Sequence, residues 1–128
     1  MPLSWRQLAS LLGPPGPMPP QVAWLANPQT HDRRLLLRAP QALTISRIDA
    51  VLSGGTTPSV AFSLRHGTDV SATGTAATAD PITITSTTTG NAITSIPYPE
   101  IPAGDWLWLQ VTAASGAPLG LLVSLALH

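Results

Sequence analysis

The side chains able to do acid–base chemistry near neutral pH are few: three histidines, five aspartates and one glutamate in 128 residues. A general base needs its imidazole within hydrogen-bond reach of an orienting carboxylate. Only His31-Asp32 and His66-Gly67-Thr68-Asp69 place a histidine and an aspartate close along the chain. Neither has the His-x-x-x-His spacing that sets two imidazoles on one side of a metal. Serines are plentiful, but no Gly-x-Ser-x-Gly elbow raises one as a nucleophile. Asp32, Asp49, Asp69, Asp80, Asp105 and Glu100 are scattered, so no carboxylate pair is indicated. Gly54-Gly55 and the Gly13/Gly16 region lack the strand–loop–helix setting of a phosphate cradle. There is no cysteine. The expectation is a protein that is not an enzyme and carries no metal or cofactor. Trp106 and Trp108 are the remaining candidates for a site. Two apart on a strand, they share a face, where they can form a platform for a sugar ring, part of a core, or part of a subunit interface.

The elements that position these residues read as strands from residue 42 onward. Leu43 and Ile45 alternate, then Ile48, Ala50 and Leu52 continue in the opposite phase, which places a bulge near Ser46-Arg47. Ser53-Gly54-Gly55-Thr56 is a turn, and Val60, Phe62 and Leu64 alternate as the next strand. Ile82 and Ile84 mark a strand in a threonine-rich tract that suits an exposed sheet face. Ile93 and Ile96 mark another, and Pro97, Pro99 and Pro102 force an irregular connection. Trp106 to Thr112 and Leu121 to Leu127 then alternate about the turn Ser115-Gly116-Ala117-Pro118, the pattern of a hairpin. Residues 106–109 are apolar on both faces, whereas a strand with one wetted face alternates apolar and polar. Leu107 and Leu109 with Trp106 and Trp108 are therefore expected as core on one side and, on the other, as an assembly interface or a surface covered by the arm.

Ahead of this domain lies an arm, residues 1–41. Ser4 and Gln7 have capping-box spacing, and Gly13-Pro14 is a stop signal, which predicts a short helix over about 5–12. Its apolar face carries Trp5, Leu8 and Leu12. Two turns of helix are not stable alone in water, so a domain or a neighbour must receive that face. Residues 13–20 hold five prolines and read as a rigid, polyproline-like spacer. Residues 21–41, with Trp24, read as an extended segment, with Leu35-Leu36-Leu37 either a first strand or more arm. Extended at about 3.1 Å per residue, 13–41 could reach roughly 90 Å, against about 30 Å for the domain.

Only 9% of residues are charged and the net charge is zero, where globular chains run near about 25% charged. Such a chain is a poorly soluble monomer, and buried protein–protein surface is the simplest remedy. The strand domain of 42–128 is also small, expected to bury only about 60–65% of its unfolded surface. All six basic residues are arginine and they do not cluster beyond Arg33-Arg34 and Arg38, so no nucleic acid is expected as a partner. No signal peptide is visible, and no run approaches the roughly 18 apolar residues of a membrane span.

The stretches Ile48-Asp49-Ala50-Val51-Leu52-Ser53-Gly54-Gly55, Pro58 to Gly67, and Ile101-Pro102-Ala103-Gly104-Asp105-Trp106-Leu107-Trp108-Leu109 followed by Val111-Thr112-Ala113 resemble the small virion structural proteins of tailed bacteriophages. The resemblance covers roughly 42–128 and rests on strand motifs with glycine and proline punctuation. It implies an all-β, antiparallel β-sandwich, a jelly roll being one form of it, displayed on a virion and commonly trimeric. The resulting expectation is a capsid decoration or cement protein on the capsid surface, assembled in the bacterial cytoplasm. It would bind the phage head by its arm (Trp5, Leu8, Leu12, Trp24) and oligomerise through its β domain (Trp106, Leu107, Trp108, Leu109). The alternative is a tail- or fibre-associated module that binds host glycans through Trp106 and Trp108.

Overall fold

The computed structural model describes residues 19–78 and 80–128, so the helix expected over 5–12, with Trp5, Leu8 and Leu12, and most of the spacer lie outside the described residues. Among the described residues there is no helix. Ten strands run in chain order: β1 (Gln21–Ala26), β2 (Arg33–Arg38), β3 (Leu43–Ser53), β4 (Ser59–Gly67), β5 (Thr75–Ala76), β6 (Ile82–Ile84), β7 (Asn91–Ile93), β8 (Glu100–Ile101), β9 (Trp106–Ser115) and β10 (Gly120–Leu127). They form two antiparallel sheets. Sheet I has the order β1-β10-β3-β7 with β8 also on β3; sheet II has β2-β9-β4-β5 with β6 also on β4.

The core follows from period-two alternation. Leu43, Ile45, Ile48, Ala50 and Leu52 of β3 and Leu121, Val123, Leu125 and Leu127 of β10 face inward from sheet I. Val60, Phe62 and Leu64 of β4 and Leu107, Leu109 and Val111 of β9 meet them from sheet II. The phase slip in β3 is a bulge: Ile45 pairs with Leu127 and Arg47 with Ala126, which leaves Ser46 as the extra residue. Its hydroxyl donates to Ala126 O at 3.1 Å. A second bulge leaves Thr112 extra opposite Ala61 and Phe62, and its hydroxyl likewise donates to Ala61 O. In both places a short hydroxyl side chain ties down the distortion.

Two expectations need correction. Residues 21–41 are not an extended segment outside the domain. β1 pairs with β10 over six positions, and β2 pairs with β9, so this stretch supplies one strand to each sheet. Ala23 and Leu25 are buried in the core, which is the free energy that holds β1 down. Nor do β9 and β10 form a hairpin. They lie in different sheets, and Ser115–Leu119 is a corner between layers. Alternation reports which face a residue takes, and it does not report which strand lies beside it. The corner is held by its neighbours: Asn27 N donates to Leu119 O, Leu119 N to Ser53 O, and Thr56 N to Gly116 O. The packing there is backbone on backbone, since a Cβ on Gly116 would lie 2.6 Å from the carbonyl oxygens of Thr56 and Thr57.

Candidate functional site: the outer sheet faces and a histidine–aspartate pair

Strand β9 carries the residues singled out in the sequence. Leu107 and Leu109 point into the core and are fully buried. Trp106 and Trp108 point outward from sheet II, yet Trp108 is only 1% exposed. Its cover comes from the chain's own loop after β4. The indole packs against Gly67 and Gly74, and the φ of +71° at Gly74 lets the backbone come down on the ring. Arg33 of the adjacent β2 lies over the indole at 5.7 Å from its centroid and donates to Val70 O at 2.6 Å. Arg65 reaches the same loop at Thr73 O. The Trp108 part of the second apolar face of β9 is thus covered from within the chain, by the loop after β4 and by Arg33 of the stretch expected as arm. Trp106 is half-buried, with the Arg38 guanidinium 5.5 Å from its ring centroid. A platform of two exposed rings does not form. Trp108 Nε1 and Gln110 Oε1 are both buried without a partner. They are a donor and an acceptor two residues apart on one strand.

Neither histidine–aspartate neighbourhood of the sequence forms a pair. Asp32 instead accepts from Gln29 N, and Asp69 accepts from the amide and hydroxyl of Ser71. Those two bonds, the hydroxyl first, hold the exposed Asp69 carboxyl below its ordinary pKa. His66 finds Asp105, 39 residues away, with Nδ1 2.8 Å from Oδ2 and both side chains largely buried. A histidine oriented by a carboxylate is part of a nucleophilic triad. The groove beside it, about 520 Å³, is lined by Thr75, Tyr98 and Glu100. Within the fold this pair joins the end of β4 to the start of β9. Among the described residues no cluster of three metal-ligating side chains occurs, and no helix is long and apolar enough to cross a membrane.

The outer face of sheet I has the opposite character. Trp24, Leu122 and Val51 stand in one row across β1, β10 and β3, by the pairing Trp24↔Leu122 and Leu122↔Val51. Val22 stands one step along β1, 63% exposed, and Trp24 is 48% exposed. The Trp24 ring lies over Gly120, where a Cβ would be 2.0 Å away, so the absence of a side chain there lets the indole lie flat on β10. The charged pair on this face, Arg47 with Asp49 at 2.9 Å, stands next to that row on β3, with Asp49 across Ser124 from Val22. Sequence reading placed Trp24 among the arm's interface residues and did not place Val22, Val51 or Leu122 at an interface. Their signal was present as apolar residues in the solvent phase of three strands. Compared with family models, curated proteins and solved structures, the chain matches none of them.

Proposed function

We propose that this chain is a structural subunit of a tailed-phage particle, a trimeric head decoration or cement protein held to its neighbours by apolar burial. The observation that carries the reading is the outer face of sheet I, where Trp24, Leu122 and Val51 make an apolar row beside the exposed Val22, with no covering element among the described residues. An antiparallel sheet normally gives its second face to water and polar residues. This one continues to β1, the edge strand that the proline-rich arm joins. The winding supports the same reading. The successive pairs β1–β2, β9–β10 and β3–β4 lie side by side, each crossing between the two sheets. We read this as jelly-roll winding, an architecture used in viral capsids.

The test is co-sedimentation with heads assembled from the same genome but lacking this chain. The full chain should pellet with the heads. A chain lacking residues 1–20 should remain in the supernatant while keeping its β circular dichroism, because strand pairing begins at Gln21. Equal pelleting of the truncated chain, or no pelleting of the full one, would overturn the proposal.

A further inference from the structure

We infer that the free edge of β1 is where a second copy of this chain docks: β1 pairs antiparallel with the partner's β1 across a two-fold axis, Trp24 opposite the partner's Trp24 and Val22 opposite the partner's Ala26. The contact joins two copies and does not rest on the particle proposed above.

The first observation is that β1 is the edge left open. A sheet edge carries a row of unpaired N–H and C=O groups, and folds blunt such edges with charge, bulges, proline or very short strands. Sheet I ends in β1 on one side and in β7 and β8 on the other; sheet II ends in β2 on one side and in β5 and β6 on the other. Strands β5, β6, β7 and β8 are two or three residues long. β2 carries Arg33, Arg34 and Arg38 and a bulge between Leu35 and Leu37. β1 has six residues, none of them charged, and runs along β10 without a break in register. Among the described residues no strand pairs with its other side.

The second is the set of groups that face this edge. Successive residues of a strand turn their backbone groups to opposite sides. Asn27 N donates to Leu119 O, continuing the register that sets Leu25 opposite Leu121. Gln21, Ala23 and Leu25 therefore face β10, and Val22, Trp24 and Ala26 turn their N–H and C=O groups to the free edge.

The third is that the edge is its own complement. Residues facing outward must meet residues facing outward. One antiparallel register uses all three on both copies: Val22 with Ala26, Trp24 with Trp24, and Ala26 with Val22, each pair exchanging two backbone hydrogen bonds. The next residues in the same phase are Pro20 and Pro28, which come opposite each other. Neither has an N–H, so pairing ends there without orphaning a donor. On the inner face Ala23 meets Leu25, both buried, which joins the two cores. On the outer face the two Trp24 rings meet at the axis, where an aromatic cross-strand pair is favourable. No charged residue enters any pair. Asp49 lies on β3, across Ser124 from Val22 and two strands in from the edge, so it and Arg47 keep their water. The row Val51–Leu122–Trp24 then continues unbroken into its own copy.

The experiment follows the full chain by sedimentation velocity and by NMR amide exchange at rising concentration. A two-copy species should form. As it forms, the amides of Val22, Trp24 and Ala26 should exchange at least about 10-fold more slowly, while those of Ala23 and Leu25, already bonded to β10, change little. Ala26→Pro removes an outward N–H without taking a bond from β10, and should weaken association about 10-fold. Leu122→Lys, one strand in from the edge, should associate like the unmodified chain, whereas docking through the sheet face would abolish association. The chain has no cysteine, so single cysteines report the register. Trp24→Cys places two Cα atoms about 5.5 Å apart at the axis, within disulfide reach, and should cross-link on oxidation. Val22→Cys sits about 13 Å from its counterpart and should not. If Ala26→Pro unfolds, the amide and cysteine readouts carry the test. A chain that stays monomeric, a trimer as its only associated species, or edge amides that stay unprotected on association would each overturn the inference. So would edge amides already protected in the monomer, a folded Ala26→Pro variant that associates undiminished, loss of association in Leu122→Lys, or equal cross-linking of the two cysteine variants.

Discussion

Gly74→Ala is the sharpest test of how sheet II is closed over Trp108. At Gly74 the backbone has φ +71°, and an added Cβ would lie 2.6 Å from Cη2 and Cζ2 of Trp108 and 2.8 Å from the His66 carbonyl oxygen. An alanine held in the left-handed region costs about 1–2 kcal/mol. The contacts add to that. The His66 carbonyl belongs to β4, paired with β9 and β5, so it cannot retreat. The indole is held between that loop and Arg33. Overpacking of this kind costs about 1–3 kcal/mol, which brings the whole effect to roughly 2–5 kcal/mol. Gly104→Ala is the internal control. Its φ is +87°, yet nothing lies within 4 Å of the new Cβ, so it should show the backbone cost alone. Urea unfolding followed by tryptophan fluorescence measures both. In a thermal melt Gly74→Ala should lower the melting temperature by about 8–40 °C, at about 4–8 °C per kcal/mol for a domain near 100 residues. It should also red-shift the emission of the folded state, because Trp108 is uncovered. Equal destabilisation of the two variants within about 0.5 kcal/mol, the scatter expected of surface changes, would refute the steric argument.

Two further outcomes follow from the structure. Leu109→Ala, at a fully buried position where the sheets meet, should cost about 2–5 kcal/mol, whereas Leu35→Ser on the exposed side of β2 should stay within about 0.5 kcal/mol; equal losses in denaturant melts would mean that the faces are misassigned. Asp69 has a depressed carboxyl pKa in the fold, chiefly through the Ser71 hydroxyl. The stability linked to it is present above the unfolded value of about 3.9 and is lost as pH falls through the lower folded value. Ser71→Ala should raise the Asp69 carboxyl toward the ordinary range in an NMR titration, and an unchanged midpoint would exclude that hydrogen bond.

The strand inventory was legible because inward-facing residues must be apolar and every second residue faces inward. Val60, Phe62 and Leu64 announce β4, and the change of phase at Ser46-Arg47 announces a bulge, since one extra residue reverses every face that follows. β1 was harder to read. Six residues flanked by Pro19-Pro20 and Pro28 look like the continuation of an extended arm. Only pairing with β10 distinguishes a strand in a sheet from an extended segment outside one.

By itself, the amino-acid sequence determined that this chain is built of strands, where β3 breaks phase, and that its charge is too sparse for its apolar surface. Those are local or summed properties, written in residue type and spacing. Tertiary structure decided everything that depends on what lies beside what. It put β9 and β10 in different layers, because a corner held by the backbone of Asn27, Ser53 and Thr56 carries the chain from one sheet to the other. It joined His66 to Asp105 and left the two nearer aspartates to cap turns. It also sealed Trp108 beneath Arg33 and Gly74 while leaving Trp24 spread over Gly120 at the surface. The two tryptophans look equivalent in the sequence, and the cover each receives comes from residues distant in the chain.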